Sequence, residues 1–196
     1  MRYTDAPSTE TEIHISAPLE RVWEVATDIT VYARPGGELQ HTRWADGVSG
    51  PRLGARFIGR NRNPHIGEWE TTSVVVEFDP PWAFAWDVLN KGEAMATWRF
   101  DLRPLETGTV LRQWVRIGPA PSGLSMFIER NPDKEEELIA RRLAELRGNM
   151  AGTLEVIRGL AEGRSAPAPR SDAAEPSGHG HQKEEAAPSP ITIQPD

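Results

Sequence analysis

The sequence predicts an α+β domain in which a curved, seven-stranded antiparallel sheet wraps around one long C-terminal helix, with two short helices after the first strand. Three observations predict it. An alternating segment opens the ordered part of the chain, six strand-like runs separated by short turns follow, and a long amphipathic stretch closes it.

Thr11 to Ser16 alternates, with Ile13 and Ile15 on one face and Glu12, His14 and Ser16 on the other, the period of a half-buried strand. Pro18 suits the start of a helix and Glu20 its first turn, while Val22, Ala26 and Ile29 recur at helical spacing beside Trp23. A second short helical piece follows around Val31 and ends at Arg34-Pro35-Gly36-Gly37. The strand-like runs lie near 39–46, 53–62, 67–79, 82–90, 94–103 and 109–118. Asn63-Pro64, Asp79-Pro80-Pro81, Lys91-Gly92 and Thr107-Gly108 supply turns, and turns this short imply an antiparallel meander.

Two of the runs alternate clearly. Trp82, Phe84, Trp86 and Val88 share one face of their strand, as do Ala96, Trp98, Phe100 and Leu102 of the next. So much aromatic surface must be covered, and the last segment supplies the cover. Asn131 is placed to cap a helix, Pro132 fits its first position, and Asp133 and Glu135 favour the positive end of its dipole. Ile139, Leu143, Leu146, Met150, Leu154, Ile157 and Leu160 then form one stripe, and the helix is expected to run to about Glu162. Gly148 and Gly152 interrupt it, each at about 1 kcal/mol relative to Ala, which predicts either a kink that opens the interior or tight packing on a bulky strand residue.

The chain of 196 residues is long enough for one sizeable core. Residues 1–9 read as a flexible lead, 10–162 as the domain, and 163–196 as a disordered tail of Pro, Ala, Ser, Gly and charge whose large apolar residues are Ile191 and Ile193. A net charge of -7 argues against a nucleic-acid partner, since phosphate binding needs clustered Lys and Arg. With no cysteine there is no disulfide framework, thiol nucleophile or thiolate metal site. The first residues carry no apolar run of a secretory signal and no stretch has the length of a membrane span, so a cytoplasmic location is the expectation. No His pair has metal-ligand spacing, and no phosphate-binding, dinucleotide or G-x-S-x-G motif is present. No metal or cofactor is therefore expected, and the oligomeric state is left open.

Ser16-Ala17-Pro18-Leu19-Glu20-Arg21-Val22-Trp23 followed by Asp28 resembles the opening signature of bacterial members of the SRPBCC superfamily, which joins START lipid-transfer domains, Bet v 1 allergens and polyketide cyclases. Further matches lie in Gly54-Ala55-Arg56-Phe57 with Gly59, in Trp69, in Glu77-Phe78-Asp79-Pro80-Pro81 and in Ala96-Thr97-Trp98. The resemblance covers about 10–162 and implies the helix-grip fold, with a ligand cavity between sheet and helix. It leaves function open, because that superfamily hosts cyclases, carriers, sensors and co-chaperone-like interaction domains.

The expected partner is a hydrophobic, aromatic or polyketide-like small molecule, bound as a substrate for cyclisation or dehydration or simply carried. Trp69, Trp86 and Trp98, with Phe84 and Phe100, are candidates for its stacking wall, the alternative being ordinary core. Met150, with Met126 and Phe127 in the loop before the long helix, could form an adaptable lip, and Tyr32, Arg34 and Glu38 a gate at the mouth. One of Arg112 and Gln113 must point inward, and an inward Arg112 would anchor a carboxylate or enolate. Catalytic residues are not legible. Arg56, Arg60, Arg62 and His65 form a basic patch read as solvated turn charge.

Overall fold

Alternation begins earlier than Thr11, and β1 spans Ser8–Ile15 with every second residue turned inward, ending in the fully buried Ile15. The computed structural model describes residues 1–33, 37–64 and 67–163. The expectations for Arg34 to Gly36, for His65 and for the tail from 164 onward lie outside the described residues. After β1 come α1 (Leu19–Thr27) and a 3-10 turn (Ile29–Tyr32). Then follow β2 (Leu39–Trp44), β3 (Arg56–Asn63), β4 (Gly67–Asp79), β5 (Ala83–Asn90), β6 (Glu93–Leu105) and β7 (Gly108–Ile117). The chain continues as α2 (Gly123–Arg130), a second 3-10 turn (Pro132–Lys134) and α3 (Glu135–Ala161).

Among the described residues, seven strands form one antiparallel sheet in the order β1-β7-β6-β5-β4-β3-β2, so the meander predicted from short turns is present and β1 is added at its β7 edge. Gly108, in the β6–β7 turn, has a φ of 138°, and a Cβ there would lie 2.1 Å from the carbonyl oxygen of Ile15. The turn therefore closes against the end of β1 only because residue 108 has no side chain.

The 27 residues of α3 span about 40 Å at about 1.5 Å per residue. Its stripe buries Ile139, Leu146, Met150, Leu154 and Ile157 over the concave face, mainly along β1 and β7. The core divides into two apolar clusters. One gathers α1, the 3-10 turn at Ile29–Tyr32 and the strand ends around Phe84, Phe100, Leu111, Leu154 and Ile157. The other is Val115, Ile117, Leu146 and Met150, and Trp98 packs against both.

The convex face is dressed with charge. Arg99 on β6 reaches across Ala85 to Glu77 on β4 and also binds Asp101, while Arg112 on β7 joins Asp101 to Glu10 on β1. The small side chain of Ala85, between Glu77 and Arg99 in register, leaves room for that span. These pairs are partly exposed and each is worth little, but together they keep the outer face wet. No helix among the described residues is long and apolar enough to cross a membrane.

Three local expectations are corrected. The segment holding Met126 and Phe127 is a helix, α2, capped by Ser122, whose hydroxyl accepts from Ser125 N. Asn131 does not cap the long helix; its side-chain amide donates back to Phe127 O at 3.1 Å, a 3-10 turn intervenes and α3 starts at Glu135. Trp82 shares the parity of Phe84 but precedes the strand, in the turn after Pro81, and is 46% exposed.

Candidate functional site

The concave face is built by strand parity. In register across the sheet, Phe84 faces Phe100 and Gln113, and Trp86 faces Trp98 and Val115. The 3-10 turn after α1 brings Tyr32 over this surface. Its position is held by Thr42, whose hydroxyl donates to Ile29 O at 2.9 Å, and by its own hydroxyl, which donates to Ala26 O at 2.6 Å. Burial, and secondarily the charge of Asp28, push the Tyr32 phenol well above its ordinary range, so it stays a neutral donor.

Tyr32, Trp86 and Trp98 form a near-parallel stack. Tyr32 lies 5.3 Å from Trp86 at 11°, and Trp86 lies 6.2 Å from Trp98 at 5°. Phe57 and Phe100 meet Trp86 at steeper angles, 61° and 47°, and close its flanks. Two of the three tryptophans named from the sequence are thus brought together. Trp69 is not among them. It pairs in register with Asn61, and Val75, the residue opposite Trp86, lies about 20 Å further along β4 at about 3.3 Å per residue.

Burial sorts the remaining candidates. Phe84 and Phe100 are 0% exposed and packed wholly by protein, whereas Trp98 and Trp69 are only half-buried. The half-buried tryptophans of the concave face are thus Trp98 on β6 and Trp69 near the β3–β4 hairpin. There Asn61 donates to Gly59 O and meets Thr71 Oγ1, both at 3.2 Å, with Trp69 and Thr71 on the same side of β4. Met150 is 1% exposed, under α3 against Val115 and Ile117, whereas Met126 and Phe127 are 51% and 43% exposed on α2. The three do not form a common lip.

Arg112 faces outward, its charged form favoured first by the hydrogen bond to Glu10. The inward residue of the pair is Gln113, 4% exposed, because Leu111, Val115 and Ile117 set the buried parity of β7 and Trp114 lies on the outside with Arg112. The amide oxygen of Gln113 has no hydrogen-bond partner among the described residues. At the rim, Glu38 is bound by Arg142 of α3, a residue not singled out in the sequence because its partner lies 104 positions away. Desolvation works against the Arg142 charge, but the bonds to Glu38 and Glu145 outweigh it and raise its pKa.

A separate groove of about 530 Å³ crosses the convex side of β2, β3 and β4, lined by Arg43, Arg60, Arg62, Glu68 and Glu70 among others. Its charge is mixed, with Arg60 paired to Glu68 at 2.7 Å, and Asn61 also lines it.

The chain matches the family model described as polyketide cyclase / dehydrase and lipid transport over residues 6–155. Among solved structures, it is similar to a polyketide-cyclase-like protein from Corynebacterium glutamicum, at 33% identity and a TM-score of 0.56, covering 79% of this chain and 91% of that one. It is also similar in fold to the Zhui aromatase/cyclase from Streptomyces sp. R1128, at 18% identity, a TM-score of 0.58 and coverage of 83% and 98%. The di-domain aromatase/cyclase StfQ of the steffimycin biosynthetic pathway is similar at 19% identity and a TM-score of 0.59, over 80% of this chain and 51% of that one. No curated protein matches the chain.

Proposed function

The chain belongs to the polyketide cyclase / dehydrase and lipid transport family, and we propose that it binds a planar, hydrophobic, aromatic or polyketide-like molecule between the sheet and α3. The observation that carries this reading is the near-parallel alignment of Tyr32, Trp86 and Trp98, whose outermost member, Trp98, is only half-buried. A flat ligand laid on that ring extends a stack already ordered by protein contacts, and gains both apolar burial and ring–ring contact. Shaping a flexible, reactive chain against such a wall is also how a cyclase of this kind would act, by holding reacting carbons close.

Non-catalytic carriage is the second reading, favoured by the polar groups of the inner strand faces. Those on β3, β4 and β7 are neutral amides and hydroxyls: Asn61, Asn63, Thr71, Ser73, Thr109 and Gln113. None of these is poised to take a proton from carbon near neutral pH.

The test is titration of the intrinsic tryptophan emission with flavonoid, polycyclic and fatty-acyl compounds. Saturable quenching by planar compounds is expected, weakened about fivefold or more by Trp98→Ala and little by Trp23→Ala, which instead lowers stability. Absence of any saturable signal would falsify the reading. Recovering the bound compound unchanged, against a cyclised or dehydrated product, separates the carrier from the enzyme.

A further inference from the structure

β2 ends the sheet, and its outer edge carries backbone groups with no partner among the described residues. Ala45 N donates to Arg56 O at 2.9 Å, and Arg43, two residues back in the same register, turns its own N–H and C=O toward β3. Alternation therefore directs those of Thr42 and Trp44 outward, into the space where a further strand would lie. The ladder they offer is short, bounded on one side by the irregularity in register between Leu39 and His41.

The side chains beside this edge set its charge. Between residues 39 and 63 the chain has five arginines and one carboxylate, that of Asp46, although the whole carries a net charge of -7. Parity places His41, Arg43, Arg60 and Arg62 on the convex face, where they line the groove of about 530 Å³. Glu68 stands in register with Arg62 but binds Arg60, at 2.7 Å, which leaves Arg62 and Arg43 in no ion pair among the described residues. Arg43 is nearest the edge, and its register neighbour on β3 is the uncharged, half-buried Ile58. The opposite edge of the sheet differs. There β1 turns Glu10 and Glu12 outward, and Glu10 is already bound by Arg112. A second copy would have to share that carboxylate to lay β1 on β2, and laying β2 on β2 would bring arginine and histidine side chains of like charge together.

We propose that β2 is a docking edge for an acidic, extended peptide segment of a partner protein, which adds to the sheet beside Thr42 and Trp44 and lays its carboxylates along Arg43 and Arg62. The free backbone groups supply the hydrogen bonds of strand addition, and the arginines select the sign of charge. Carboxylates recur at every second residue of such a segment, because alternate side chains of the added strand face the convex side with His41 and Arg43. The residues between them face the side of Trp44, whose half-buried ring offers apolar contact. Docking here requires nothing of the ligand that the aromatic stack would hold.

The probe is a short fluorescein-labelled peptide of alternating glutamate and valine, titrated with the full chain by anisotropy beside its lysine–valine counterpart. Saturable binding of the acidic peptide is expected, about tenfold or more tighter than that of the basic one and weakened as salt rises. Arg43→Gln and Arg62→Gln, which break no ion pair of the fold, are each expected to weaken it about two- to fivefold, with Arg43→Lys retaining most of the affinity. Arg103→Gln, at an exposed position on β6, is expected to change nothing. Two peptides N-methylated at alternate residues report on the backbone: the isomer blocked on the side that meets β2 is expected to lose binding about tenfold or more, and the other to keep it. Equal affinity of the two isomers, equal affinity of the acidic and basic peptides, or unchanged affinity in both glutamine variants would overturn the proposal. Absence of saturable binding by the acidic peptide would overturn it and leave the arginines as charges that keep the edge unpaired. Self-association of the free chain in sedimentation, lost in Arg43→Gln, would assign the edge to a second copy and overturn it as well.

Discussion

Arg142 of α3 grips both carboxylate oxygens of Glu38, at 2.8 and 2.9 Å, and so ties the closing helix to the segment that leads into β2, at the opposite edge of the sheet from β1. The two side chains are only 26% and 18% exposed, and Glu145, one turn along α3, adds a third bond at 3.3 Å. α3 otherwise packs chiefly on β1 and α1, and on β7 among the other strands, so this fork holds the far rim of the concave face toward the helix.

Removing one partner strands the other in a half-buried position. Arg142→Met and Glu38→Gln are each expected to lower stability by about 1–2 kcal/mol, between the values of exposed and fully buried pairs. The double variant should fall short of the sum by about 1 kcal/mol, the mark of a direct interaction. Urea midpoints of the four proteins in the cycle check this, and strict additivity would show that the fork contributes nothing.

Tyr32 makes a prediction about alkaline pH. Its phenol is raised above the ordinary value of 10.0 in the folded chain, chiefly by burial. Above that value the unfolded chain releases the proton and the folded chain keeps it, so folding stability falls as pH rises beyond about 10. At lower pH both states hold the proton and Tyr32 adds no slope. Replacing it with Phe should flatten the decline above pH 10 and leave the profile near neutrality parallel to wild type, as read from denaturant midpoints at pH 7 to 11.

Gly148 lies in an unbroken α-helix, and a Cβ built there meets no atom within 4 Å. Neither a kink nor close packing explains it, and the structure offers no other reason for a glycine. Gly148→Ala is accordingly expected to raise stability by about 0.5–1 kcal/mol through helix propensity and the lost freedom of the unfolded chain. Thermal melting would register this as an increase of a few degrees, and a decrease would reveal a role for flexibility at that turn.

Gly59 behaves in the opposite way and shows why single positions are hard to read in isolation. A Cβ there would lie 3.0 Å from Leu39 Cδ1 and 3.1 Å from Thr71 Oγ1, so this glycine makes room for side chains of both neighbouring strands.

The helix-grip architecture was legible in the residues because periodicity is local: alternation marked β5, β6 and β1, a heptad-like stripe marked α3, and short turns left the meander little freedom of topology. Trp86 and Trp98 could be placed on one face for the same reason. What local pattern could not decide was which face each ambiguous strand buries and which distant segments touch. β7 carries large apolar residues on both parities, with Trp114 against Leu111, Val115 and Ile117, and only the packing of α3 over β1 and β7 turned Gln113 in and Arg112 out. The fork between Glu38 and Arg142 and the stack of Tyr32 on Trp86 join elements far apart in the chain. Such contacts form only when the sheet curls under its helix, since the surfaces that meet there belong to no single segment.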